Sequence, residues 1–167
     1  WSSDVCSSDL NTTTNNPINQ ATDGNLSGLT FSNACINTGD VSWSLPGAYN
    51  SVTNTILVFA KSGSAITLGT PSSNVSTYTA NTTFGSGTAY QNDASAFCIY
   101  KGDGSSVSIT NLSAGTNYYF LALNVVDPNS YSSNTNATGT TLTTPANVTA
   151  QTAASGNGQI TVSWTNP

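Results

Sequence analysis

The sequence predicts an all-β fold, and three observations predict it. The first is composition: 25 Ser, 27 Thr and 21 Asn stand beside 37% hydrophobic residues, while Glu, Arg, His and Met are absent. Thr, Val, Ile and aromatics favour strands, Asn, Ser and Gly favour turns, and good helix formers are scarce. The second is periodicity, since apolar residues recur at every second position in short runs and nowhere at a sustained helical spacing. The third is punctuation: each run is bounded by Gly, Asn, Asp or Pro.

The elements follow in order. Residues 1–10, WSSDVCSSDL, differ in style from everything after them. They resemble the translated end of a short-read sequencing adapter and are expected to be an artefact with no part in the fold. Setting them aside removes Cys6 and leaves five Asp against two Lys, a net charge of −3. Residues 11–25, NTTTNNPINQATDGN, hold too little apolar surface to order themselves and read as a linker. From Leu26 strands begin. Leu29 and Phe31 alternate with Thr30 and Ser32; Val41 and Trp43 alternate with Ser42 and Ser44 until Pro46 stops the run. Ile56 to Lys61 reads as a buried strand, and Val107 and Ile109 alternate with Ser108 and Thr110. Asp103-Gly104, between Ile99-Tyr100 and Val107, is a tight-turn signal expected to close a hairpin.

Tyr118 to Leu123 is apolar on both alternating faces, which a sheet with one wet face would not be. The segment from Ser62 to Ala96 is therefore expected to lie against the sandwich, with Tyr78 and Phe84 as its covering side chains. At the end of the chain, Asn147 to Pro167 repeats the frame of Gly28 to Pro46, and Trp164 answers Trp43. The expected organisation is a domain over 26–144 and, over 145–167, the truncated start of a second copy. Two strands without their partners are marginal in water. The tail is accordingly expected to add little stability, with Trp164 open to solvent.

LSAGTNYYFLALN, Leu112 to Asn124, resembles the L-x-P-G-T-x-Y-x-F-x-V segment of fibronectin type III domains. Leu112, Gly115, Thr116, Tyr118 and Phe120 are in place, and Ala114 stands where the family usually has Pro. Tyr78, Phe84, Gly85, Gly87, Tyr100, Gly102, Gly104 and Val107 are further similar to a variant common in secreted Bacteroidetes proteins, Y-T-A-x-x-x-F-G-x-G followed by V-Y-x-G-x-G-x-x-V. The resemblance implies a fibronectin type III-like, immunoglobulin-like β-sandwich with a long insertion after its third strand. It also implies a tyrosine corner at Tyr118, with Trp43 packing nearby. The function it implies is a non-catalytic spacer or adhesion module in a larger secreted or cell-surface bacterial protein.

Residue chemistry excludes several classes. Two lysines cannot neutralise a run of phosphates, so nucleic-acid binding is not expected. Apolar runs such as Ile56 to Ala60 fall far short of the roughly 20 residues a membrane helix needs. Asp23, Asp40, Asp93, Asp103 and Asp127 offer no acid pair at defined spacing; Asp23 and Asp103 precede Gly, and Asp127 precedes Pro128. A Ser or Cys nucleophile would lack a His base, leaving only Lys61 or Lys101. Gly102-Asp103-Gly104 brings one carboxylate where calcium wants about six oxygens. No catalytic residue, cofactor or metal ligand is therefore expected, and the abundant Asn-x-Ser/Thr sequons are attributed to composition.

The alternative function is a carbohydrate-binding accessory module of an extracellular hydrolase, using Tyr49, Tyr90 or Tyr131 as sugar platforms. The expected partners are neighbouring domains of the same chain, with a surface polysaccharide or protein as a further candidate. With Cys6 set aside, Cys35 and Cys98 form an even pair in a chain of secreted character and are expected to be joined as a disulfide.

Overall fold

The computed structural model describes residues 25–69, 75–126, 130–131, 135–143, 149–156 and 158–165. The described elements are eleven strands and one turn of 3-10 helix, Val75–Thr77. β1 (Ser27–Ser32), β2 (Gly39–Ser44) and β6 (Ser106–Ile109) form an antiparallel sheet in the order β1-β2-β6. The larger sheet runs β4 (Ala89–Tyr90), β5 (Asp93–Gly102), β3 (Asn54–Ser62), β7 (Asn117–Val126) and β8 (Ser130–Tyr131), and β9 (Thr135–Thr140) also pairs with β7. β10 (Thr149–Gly156) and β11 (Gln159–Thr165) form a separate two-stranded sheet. This is an all-β, fibronectin type III-like sandwich, with consecutive strands shared between two sheets.

The inward faces meet in one apolar cluster. Leu29, Val41, Trp43 and Ile109 from the small sheet face Ile56, Val58, Ala60, Ile99, Tyr118, Phe120 and Ala122 from the large one. Phe31 stacks on Phe120 with ring centroids 5.2 Å apart. It fits because Gly39 and Gly139 lie beneath it: a Cβ on either would come within 2.3 Å of the ring.

Alternation along β3 and β7 turns Leu57, Phe59, Leu121, Leu123 and Val125 to the opposite face, where they are equally buried. The insertion covers them with Ile66, Tyr78 and Tyr90, whose rings meet Phe59 at 5.1 Å for Tyr78 and 4.8 Å for Tyr90. The doubly apolar pattern of β7 thus has its physical cause: the large sheet is sandwiched on both sides.

Phe84 departs from expectation. It packs against the inter-sheet cluster, edge-on to Tyr118 at 5.0 Å and to Phe97 at 5.7 Å. It is drawn there because Thr83 bridges Thr110, while the Phe84 and Thr110 amides bond Thr110 and Thr82 carbonyls, extending the line of β6. The Asp103-Gly104 turn also differs. It connects β5 to β6 in the opposite sheet, so it crosses the sandwich rather than closing a hairpin.

Candidate functional site

The corner before β7 is assembled from local sequence. Gly115 adopts a left-handed φ of +60, which costs glycine nothing, and its N–H donates to the Leu142 carbonyl at 3.1 Å. The chain then turns back over Tyr118, whose buried hydroxyl accepts the Ser113 N–H at 2.8 Å. Leu112 is buried beneath, and its N–H reaches the Asn37 carbonyl at 3.0 Å. A residue that the sequence did not single out completes the corner. The buried Thr141 hydroxyl donates to the Ser113 carbonyl at 2.6 Å and accepts the Thr116 N–H at 3.0 Å. The only sequence signal for it is a Thr immediately after β9, in a chain rich in Thr.

A second knot forms around Gly104. A bulge between Val58 and Phe59 of β3 and their β5 partners leaves Ile99 as the extra residue, so Ile99 and Tyr100 both pack toward the inter-sheet cluster. Tyr100 meets Trp43 edge-on at 5.0 Å and its hydroxyl accepts the Gly104 N–H, while the Trp43 indole donates to the Gly104 carbonyl at 3.0 Å. Cβ atoms on Gly102 and Gly104 would stand 2.9 and 2.6 Å from the Tyr100 oxygen. The Y-x-G-x-G pattern is therefore a steric and hydrogen-bonding unit. Trp43 is buried against Tyr100 and Tyr118 against Phe84, all within the one cluster.

Both lysines of the chain fasten the insertion. Lys61 Nζ sits 2.7 Å from Asp93 Oδ2 and 3.3 Å from the Ala65 carbonyl. Asp93 also accepts the Thr67 and Ser95 amides, at 2.8 and 3.1 Å. Burial alone would raise the Asp93 carboxyl, but the bonds from Lys61, Thr67 and Ser95 and the Lys61 charge outweigh it and hold the group below its ordinary range. Lys101 Nζ donates to the Val75 and Tyr78 carbonyls at 3.0 and 3.1 Å, capping the 3-10 turn. Neither lysine is thus disposed as a general base. Asp40 accepts from Ser108 and Asn33 on the solvent side of the small sheet.

The expected Cys35–Cys98 disulfide is not formed; both thiols are free. Cys98 points into the outer cluster beneath the insertion, and burial pushes its thiol up to about 11. Cys35 lies exposed in the β1–β2 loop, on a different layer of the molecule. Two of the three candidate sugar platforms, Tyr90 and Tyr49, are likewise local packing anchors. Tyr90 is buried, its hydroxyl donating to the Gly69 carbonyl at 2.8 Å, and half-buried Tyr49 donates to the Asn54 carbonyl at 3.3 Å. The side chains of Tyr131 and Trp164, and residues 1–24 with the proposed adapter and most of the linker, lie outside the described residues.

A cleft of about 280 Å³ opens between the insertion and β9, lined by Ile66, Leu68, Tyr119 and Ala137 among others. Among the described residues that line it, the Tyr119 phenol is the one ionisable group. Among the described residues no group of three His, Cys, Asp or Glu could hold a metal ion, and no helix is long and apolar enough to cross a membrane.

No family model and no curated protein matches the chain. Solved structures similar to it include a computationally redesigned β-sandwich protein, with 17% identity, a TM-score of 0.49 and coverage of 73% of this chain and 93% of that one. The fibronectin type III domain of human fibronectin type III domain containing protein 3 gives 14% identity, a TM-score of 0.48 and coverage of 75% and 94%. The d3-d4 region of rat CD45 gives 16%, 0.48, 73% and 51%.

Proposed function

We propose that the chain is a non-catalytic spacer or adhesion module, one of at least two sandwiches in tandem within a larger secreted or cell-surface bacterial protein. The observation that carries this reading is the pairing of the two hairpins. In β1–β2, Ser27 faces Ser44 and Thr30 faces Ser42 across an irregularity; in β10–β11, Thr149 faces Thr165 and Thr152 faces Ser163 across the same irregularity. A repeated bulge is a conformational signature that a shared V-S-W sequence alone would not require. The secreted setting is supported by the composition, and the bacterial one by the glycine and aromatic pattern that the two knots use. A non-catalytic role is supported by the fate of the reactive side chains: Lys61 is bound to Asp93 of the insertion and Lys101 to its Val75 and Tyr78 carbonyls.

Retention on insoluble polysaccharides tests the reading. The 167-residue chain is expected to pass without saturable binding. Saturable, competable retention would overturn the spacer role in favour of the carbohydrate-binding accessory module.

A further inference from the structure

A strand at the edge of a sheet presents unpaired backbone groups, and natural sheets blunt such edges by shortness, irregular register, proline, charge or a covering segment. The first sandwich does so at every described edge except β9. β4 and β8 have two residues each. β1 loses register between Ser27 and Thr30, where Gly28 takes a φ of +60. β6 has four residues, and the insertion bonds the chain that continues it at Thr110. Beyond β4, β5 is covered by the insertion, whose Thr88 carbonyl accepts the Cys98 N–H and whose Asn81 N–H reaches the Cys98 carbonyl, and it carries the charge of Lys101. β9 has none of these devices. Its six residues, TNATGT, run against β7 in unbroken register and hold no charge and no proline. Among the described residues no strand pairs with its other side and no loop backbone bonds to it.

Alternation sorts the side chains of β9. Asn136, Thr138 and Thr140 stand exposed on the face that carries Tyr119 and Leu121, whereas Ala137 and Gly139 turn to the inter-sheet side, where Phe31 fills the space against Gly139. We propose that β9 pairs antiparallel with β9 of a second copy of the chain, joining two large sheets into one across a two-fold axis. The occupant follows from the self-complementarity of the strand. With the axis at Thr138, Thr138 faces its own copy, Asn136 faces Thr140, and Ala137 faces Gly139. Hydroxyls and amides then meet on the exposed face, as favourable cross-strand pairs do, small residues meet on the inner face, and no charge faces a like charge. A foreign strand would need only the free edge; a match on both faces at once singles out a second copy. Leu68, 50% exposed in the cleft beside β9, adds apolar surface near the joint. Such a contact is isologous and closes at two copies. It is independent of the tandem reading, because it uses the side of the sandwich and not its ends.

The test is sedimentation of the 167-residue chain from about 10 μM to 1 mM, beside charge-swapped variants at the axis. The unsubstituted chain is expected to pass from monomer to dimer across that range, and amide exchange along residues 135–140 is expected to slow as it does. Thr138→Lys and Thr138→Asp change an exposed side chain and set like charges face to face, so each should weaken dimerisation about tenfold or more. An equimolar mixture of the two, each with an unchanged melting midpoint, should regain the dimer. That recovery is one a merely structural role for Thr138 would not give. An unsubstituted chain that stays monomeric to the top of the range would overturn the pairing while leaving the spacer role intact. So would a dimer that leaves exchange along β9 unchanged, a dimer indifferent to both substitutions, or a mixture of the folded variants that stays monomeric.

Discussion

The Tyr118 hydroxyl does work that its ring alone cannot. Tyr118→Phe keeps the ring against Phe84 but removes the partner of the Ser113 N–H, and losing a hydrogen bond at this part-buried corner costs about 1 kcal/mol. Urea unfolding of the variant should show that loss with an unchanged slope. Asp93 makes stability depend on acidity, and the sign follows from its lowered carboxyl. In the unfolded chain the group titrates near its ordinary value, about 3.9. Its contribution is complete above that value and drains away as pH falls below it toward the lower folded value. Asp93→Asn should therefore flatten the stability profile below about pH 4 while lowering stability at neutral pH, as read by thermal melts across pH. Tyr118, Leu112 and Gly115 were legible in the sequence because a corner demands particular residue types at fixed spacing. Thr141 was not, because one Thr among 27 carries no signal until the chain has folded back on it.

Strands were legible wherever one face is wet. Val41 and Trp43 on β2 alternate with Ser42 and Ser44, and this is the pairing pattern of a sheet whose outer side meets water. β3, β5 and β7 are apolar on both sides, which announces a second cover but does not say which residues supply it. Tyr78 supplies part of that cover, whereas Phe84 is drawn to the inter-sheet cluster by the Thr83–Thr110 bridge, a long-range pairing invisible to periodicity. The Asp103-Gly104 turn misled for a related reason, since turn chemistry fixes a reversal of direction but not the sheet to which the next strand belongs. The location of Phe84 makes a prediction. Phe84→Ala should cost about 3 kcal/mol by removing ring contacts with Tyr118 and Phe97, and should do so without exposing Cys98. Equilibrium unfolding read together with thiol alkylation separates the two effects, because an insertion that had lifted off would release the Cys98 thiol.

At the scale of the whole molecule, β10–β11 share no sheet with the first sandwich. Ending the chain after Pro145 should leave the unfolding midpoint within about 2 °C, since a shift of several degrees corresponds to about 1 kcal/mol of lost contact; differential scanning calorimetry decides it. The fold class was legible because composition, alternation and turn residues agreed with one another. The free thiols were not, because counting cysteines says nothing about the layers they occupy. The engagement of both lysines has a further consequence, for proteolysis. Trypsin cuts only after Lys or Arg, and the chain offers it two sites, Lys61 in β3 and Lys101 in β5. Each lies within a paired strand with its amine already bonded, so neither can enter a protease cleft without sub-global opening. The folded chain should persist in trypsin for as long as it stays folded, while the urea-unfolded chain should fall at once into three pieces. Resistance to trypsin is thus a direct readout of folding, because both cleavage sites stay closed only while their strands are paired.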